Sequence, residues 1–287
     1  MADVGDNNFV RYLYRGEDDE HIPRDVTHVT VDLGTTVVRR RAFYRHQNIV
    51  EVICHDKVEK IEECAFACCP SLRRVIMRGV KIVERCAINY CGALTDVECG
   101  KLEIIGEEAF ARCKSLRIMN LPSARIVKYS SFGHCDALMD VKFSNELERF
   151  DEIAFLNCTS LERITIPLKD SLIPHDDTFE GCENLNHVDL VEGELHETIA
   201  ALHLEEWRND MNEEIDSINQ ILPDTYAGWG NAYGGDSGEK AAAIRRWIRA
   251  VFGKIVDYQE EHQRVLNEAA TTLQQLALPR DIIMNNI

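Results

Sequence analysis

Between Ala42 and Leu190 the chain returns seven times to one short phrase, and this recurrence limits the fold more than any other feature. The pairs Ala42-Phe43, Ala65-Phe66, Ala87-Ile88, Ala109-Phe110, Ser131-Phe132, Ala154-Phe155 and Thr178-Phe179 follow one another at steps of 23, 22, 22, 22, 23 and 24 residues. Three positions after the aromatic come His46, Cys69, Cys91, Cys113, Cys135, Cys158 and Cys182. Six positions after it come Ile49 and then Leu72, Leu94, Leu116, Leu138, Leu161 and Leu185. A unit this short cannot bury its own apolar side, so neighbours must stack into a solenoid. The segment Leu161 to Ile166 ends in apolar-polar alternation, as a half-buried strand does. The Ala-Phe-x-x-Cys stretch reads as a helical or 3₁₀ turn with Phe and Cys on one face. The expectation is one strand per coil, forming a parallel sheet along one face. Each coil advances about 4.8 Å, so seven span on the order of 34 Å.

The unit resembles the BspA-like class of leucine-rich repeats, which reads roughly A-F-x-x-C-x-S-L-x-x-V-x-I-P. Leu116 to Pro122 and Leu161 to Pro167 match its strand and trailing proline, and the likeness covers about residues 26–192. Ile88 stands where Phe is expected and His46 where Cys is. The last coil, from Asp170 to Thr178, is longer and more polar. The asparagine ladder of other leucine-rich repeats is missing. The resemblance implies a protein that acts by binding other macromolecules, as several members do as surface adhesins.

A solenoid needs capped ends. Phe9 to Tyr14 and Thr27 to Val31 read as strands that start the ladder. After Gly193 the pattern changes. Leu204, Trp207, Met211, Ile215, Ile218 and Leu222 recur at helical spacing, and Pro223 with the glycines of 228–238 then break the pattern. Ile244, Ile248, Val251, Ile255, Tyr258, His262, Val265, Ala269, Leu273 and Leu276 alternate at three and four, a coiled-coil-like seam. Residues 192–222 hold nine acids and one base, while the second pattern opens with Lys240, Arg245, Arg246, Arg249 and Lys254. Opposite charges favour folding the two back on each other. An oligomer formed through these helices is the other arrangement open. The expected architecture is therefore α/β: an N-terminal cap over 1–25, a leucine-rich-repeat solenoid over 26–192, and an antiparallel α-helical hairpin over 193–287 with a Gly-rich linker at 223–238.

Composition narrows the function. Acids outnumber bases 49 to 32 for a net charge of −17, which disfavours nucleic acid and anionic membrane surfaces as partners. No run approaches the length of a membrane span. No basic-then-apolar leader precedes the repeats, and the expected location is the cytoplasm. Disulfides seldom persist there, so the 11 cysteines need another role. Six fill the repeat's rung, and Cys54 and Cys99 take the inward strand position eleven after the aromatic. Those eight read as small buried hydrophobes. Cys64, Cys68 and Cys86 fall outside this scheme. Cys64-x-x-x-Cys68-Cys69 lacks a second cluster to complete four zinc ligands.

Catalytic motifs do not assemble. Gly235-Asp236-Ser237-Gly238 matches the surroundings of a serine-protease nucleophile, but it lies in the Gly-rich linker without the barrels that chemistry needs. Gly228-Trp229-Gly230 follows no strand and opens no phosphate loop. His196 and His203 are too far apart on one helix to share a metal. The expectation is a protein that is not an enzyme and carries no cofactor or metal. What remains is surface. Outward strand positions are Arg74, Ile76 and Arg78, then Asp96 and Glu98, Ile118 and Asn120, Asp140 and Lys142, Arg163 and Thr165, His187 and Asp189. This strip is the candidate partner-binding face. The competing account is that Arg74 and Arg78 pair with Asp96 and Glu98 across adjacent strands. Arg39-Arg40-Arg41 reads as a solvated turn. The leading function is a protein-interaction scaffold whose partners are other proteins. The alternatives are an adhesin exported without a recognisable signal and, behind it, a thiol or metal sensor.

Overall fold

The computed structural model describes residues 9–18, 20–169, 171–173, 175–191, 209 and 239–275. Along the repeats the strands run β1 (Arg11–Tyr14), β2 (His28–Val31), β3 (Val37–Val38), β4 (Glu51–Ile53), β5 (Lys60–Ile61), β6 (Arg74–Ile76), β7 (Ile82–Val83) and β8 (Asp96–Glu98). They continue as β9 (Ile104–Ile105), β10 (Ile118–Leu121), β11 (Ile126–Val127), β12 (Asp140–Phe143), β13 (Arg149–Phe150), β14 (Arg163–Ile166) and β15 (His187–Leu190). A 37-residue helix, α1 (Glu239–Gln275), follows.

Every pairing is parallel and joins a strand to the one a full coil away, as in Val52↔Val75 and Val75↔Val97. The longer strands form the strand wall in two segments, β1-β2-β4-β6-β8 and β10-β12-β14-β15. The expectation of one strand per coil is corrected by a second ladder, β3-β5-β7-β9-β11-β13. Its inward members are Val38, Ile61, Val83, Ile105, Val127 and Phe150, five positions before each aromatic and all buried. Two residues per strand are too few to show alternation, yet across neighbouring coils they complete a sheet.

The turns around the aromatics form the third wall. Only the last coil folds as 3₁₀, over Asp176–Phe179. Elsewhere alternate N–H groups bond locally and across coils. In the coil of Phe66, Ala65 and Ala67 donate to the carbonyls of Glu62 and Cys64, while Cys64, Phe66 and Cys68 donate to Arg85, Ala87 and Asn89 of the next coil at 3.1, 2.7 and 2.8 Å. This alternation needs left-handed backbone two residues before and two residues after the aromatic. Arg41, Cys64, Cys86, Glu108, Ser130 and Ile153 occupy the first row, Arg45, Cys68, Tyr90, Arg112, His134 and Asn157 the second, all with φ between 45 and 62°. Gly181 ends the second row at φ 72°. Such geometry costs a non-glycine residue about 1–2 kcal/mol, offset here by inter-coil hydrogen bonds that satisfy otherwise orphaned N–H groups.

Aromatic stacking fills the interior behind this wall. Phe110, Phe132, Phe155 and Phe179 lie ring on ring at 5.5, 5.3 and 5.4 Å. Phe43 and Phe66 stack likewise at 4.9 Å, with Tyr14 of the N-terminal cap tilted against Phe43 at 5.1 Å. Ile88 takes the aromatic's place between the two stacks and is fully buried.

Contacts divide the chain into two compact units, with α1 through Arg245 assigned to the first, along with the solenoid. In that unit Lys240 is buried, and its Nζ donates to the carbonyls of Glu183 and Leu185 at 2.7 and 2.6 Å. Those carbonyls belong to the last coil. Arg245 reaches the carbonyl of Ile173 at 3.4 Å and pairs with Asp176. The start of α1 therefore closes the solenoid's final turn. In the second unit, Ile248, Val251 and Ile255 are buried, whereas Val265 is 38% exposed, so the seam fades along the helix. The other arm of the expected hairpin (192–222, apart from residue 209) and the linker at 223–238 lie outside the described residues, as does Leu276, so the hairpin itself is not established.

Candidate interaction surfaces

The strand wall carries twelve of the thirteen outward residues singled out from the sequence; Arg78 lies in the turn just beyond β6. In-register pairing sets Glu51, Arg74 and Asp96 side by side, and Ile53, Ile76 and Glu98 beside them. Arg74 contacts Glu51 at 3.4 Å, Asp96 at 2.9 Å and Glu98 at 2.7 Å, while Arg78 reaches Glu98 at 2.5 Å. Arg78 and then Arg74 hold the Glu98 carboxyl below its usual range. Further along, Arg163 and His187 both meet Asp189, at 2.7 and 3.0 Å, and Lys142 meets Asp140 at 3.5 Å. The competing account, cross-strand pairing, is thus what the geometry delivers for most of these charges. The structure brings the charged members together with one another rather than presenting them singly. Ile118, 61% exposed, and Asn120 stand outside these pairs at the start of the second segment.

The turn wall is different. Tyr44 is exposed, and the guanidinium carbons of Arg41 and Arg45 lie 5.8 and 5.2 Å from its ring centroid. Arg112 sits 4.7 Å from the ring of Tyr90, which is also exposed. Sequence reading treated the arginine run as a solvated turn and missed this arrangement. A usable signal was the repeat register itself, which places Arg41 and Arg45 symmetrically about the same turn.

The cysteines divide by position. Behind the turn wall each rung thiol donates to the carbonyl of the aromatic position in the preceding coil: Cys69 to Phe43, Cys91 to Phe66, Cys113 to Ile88, Cys135 to Phe110, Cys158 to Phe132 and Cys182 to Phe155, at 3.0–3.3 Å. They are donors as well as hydrophobes. His46, in the same register, reaches the carbonyl of Pro23 at 2.9 Å and so performs the same task for the cap. Burial pushes the thiols of Cys54, Cys99 and Cys135 up to about 12. Cys64, Cys68 and Cys86 occupy the left-handed rows and are half-buried. Burial raises the Cys86 thiol to about 11, helped by Glu108 and Cys64. Among the described residues no group of three or more His, Cys, Asp or Glu is placed to hold a metal ion. Among them also, no helix is long and apolar enough to cross a membrane.

With this geometry in hand, the profile of the BspA type leucine rich repeat region matches six copies over residues 24–126 and 81–197, more than half of the chain. The chain belongs to the BspA-type leucine-rich repeat family. That family points to a protein-binding or surface-protein role, and its members are generally not enzymes. No curated protein matches the chain. Among solved structures it is similar to a leucine-rich repeat protein from Bacteroides ovatus, at 22% identity and a TM-score of 0.49 over 60% of this chain and 47% of that one. It is similar too to a leucine rich cell surface protein from Faecalibacterium prausnitzii, at 25% identity and 0.47 over 63% and 48%. A third is a leucine rich repeat protein from T. pallidum, at 20% and 0.40 over 69% and 85%. The BspA-type chain described here spans about half the length of the first two.

Proposed function

We propose that this protein is a non-enzymatic interaction scaffold of the cytoplasm, holding other proteins against the walls of its solenoid. The carrying observation is the strand wall, a parallel ladder that fixes outward side chains at one coil's spacing and offers no converging catalytic set among the described residues. Extended faces of this kind suit recognition of a partner over many small contacts. On this reading Ile118 and Asn120 form the centre of contact, because their neighbours' charges already satisfy one another. The residues from Arg74 to Asp189 form its polar rim. Eleven cysteines, free in the structure, suit a reducing compartment.

Cross-linking with mass spectrometry in native lysate tests the reading. Cross-links should map to the strand wall and vanish when Arg74, Asp96 and Asp140 are replaced together with Ile118→Glu, while the thermal transition persists. Unchanged capture by that variant would sink the strand-wall assignment. Recovery of the native protein at the cell surface would overturn the cytoplasmic assignment and favour an adhesin.

A further inference from the structure

We propose that the turn wall of the first coil is a docking site for an acidic, Asp/Glu-rich protein segment, gripped by Arg41 and Arg45 across Tyr44. This rests on the scaffold reading above and adds where one partner sits and what it carries.

The charge distribution is the first support. Residues 33–50 contain four arginines and no Asp or Glu, within a chain of net charge −17. Two of the four are engaged locally. Arg40 meets Glu63 at 3.2 Å and its N–H meets Glu62, while Arg39 Nε donates to the carbonyl of Gly16 at 3.4 Å. Among the described residues, Arg41 and Arg45 have no carboxylate within ion-pair distance; both are exposed and lie against Tyr44. Elsewhere on the solenoid Arg74, Arg78, Arg85, Arg125, Arg149 and Arg163 all have carboxylate partners. Arg73, Arg112 and Arg117 likewise lack a carboxylate within ion-pair distance, so what sets the first coil apart is a pair of such arginines about one exposed ring.

Preorganisation is the second support. Left-handed backbone fixes both Cα–Cβ directions, and the N–H groups of Arg41 and Arg45 are tied to the carbonyls of Glu63 and Ala67 at 3.1 and 2.9 Å. Stacking on one ring limits the side chains further, so little freedom is lost when an anion arrives. Carboxylates two residues apart on an extended segment are spaced about 7 Å, a span that two guanidinium groups around one ring can match.

The chemistry also selects among anions. Nucleic acid would bring many phosphates toward a molecule of net charge −17. Its bases would need an aromatic face, and the ring of Tyr44 already has two guanidinium groups against it. A short acidic protein segment meets the local positive charge alone. One running along the wall would next meet Arg112 at Tyr90.

The test is fluorescence anisotropy on the full chain at low salt, with three labelled probes: a peptide alternating Glu and Ala, its Gln counterpart, and a single-stranded oligonucleotide. The Glu peptide should bind saturably and weaken as salt rises, and the Gln peptide should not bind. Arg41→Asn with Arg45→Asn should weaken binding about tenfold, asparagine being chosen because it tolerates left-handed backbone. Tyr44→Leu keeps both charges and should weaken binding less. Circular dichroism melts of each variant report that the fold is intact. Equal binding by the double variant, or tighter binding of the oligonucleotide, overturns the proposal. A chain that ignores the Glu peptide yet keeps its native cross-links overturns this site and leaves the scaffold reading standing. Peptide binding without any native cross-link supports the site and counts against the scaffold.

Discussion

The strand wall and the turn wall are built from the same seven repeats, yet they dispose of charge in opposite ways. On the strand wall the extended backbone points side chains straight out, and the coil spacing brings Glu51, Arg74 and Asp96 into one row. Opposite signs then neutralise each other within the molecule. Beside the turns Arg40 and Arg85 pair with Glu63 and Glu107 of the following coils, but Arg41 and Arg45, in the left-handed rows, meet a tyrosine instead of a carboxylate. Position within the coil thus bears on which charges remain available to a partner.

Three measurements can break or sharpen this contrast. The largest effect is expected where the turn wall meets the core. Phe110→Ala empties a fully buried place at the end of a ring stack, between Ile88 and Phe132, and should cost about 3–5 kcal/mol in urea unfolding. A cost near zero would contradict the register. Next, Cys135→Ala removes one of the two donors to the Phe110 carbonyl, the Cys113 N–H remaining, and should cost about 0.5–1.5 kcal/mol, with Cys135→Ser recovering part of it. An alanine variant as stable as the parent would mean that the thiol rung is packing alone. The smallest effect belongs to the strand wall. Arg74→Ala should lower the thermal midpoint only slightly at neutral pH, because the pairs it breaks are solvent-exposed. The Glu98 carboxyl is held low in the folded state, so its contribution is complete above the ordinary carboxylate range. It fades as pH falls through the lowered value, and the gap between variant and parent should close in acid. A gap that widens in acid would show that Glu98 is not the partner that matters.

Much of this was legible in the sequence because a repeat reports the same choice several times. Phe at one position and Cys three later, in register over the coils, fixed the coil and its interior. The alternation of Arg163, Ile164, Thr165 and Ile166 marked the strand. The second ladder escaped because Val37-Val38 or Ile82-Val83 is too short for a periodicity to exist. The left-handed rows escaped because Arg, Tyr and Cys do not advertise that conformation as glycine does; among them Asn157, His134 and Gly181 were the only hints. Outward residues other than Arg78 lie in strands, and the pairing of Arg74 and Arg78 with Asp96 and Glu98 was legible as the competing account. The role of Lys240 could not be read at all, since its acceptors lie 55 and 57 residues away and are backbone carbonyls.

That lysine bears on how such a chain avoids becoming a filament. A stack of parallel coils ends in a row of open acceptors, the template onto which another copy could add itself. Head-to-tail growth needs both ends of every subunit to be receptive. By placing an ammonium group on the carbonyls of Glu183 and Leu185, the first turn of α1 occupies two backbone acceptors of that open end. A single buried cation thus does for the Glu183 carbonyl what Ser115 and Asn184 of following coils do for those of Gly92 and Thr159.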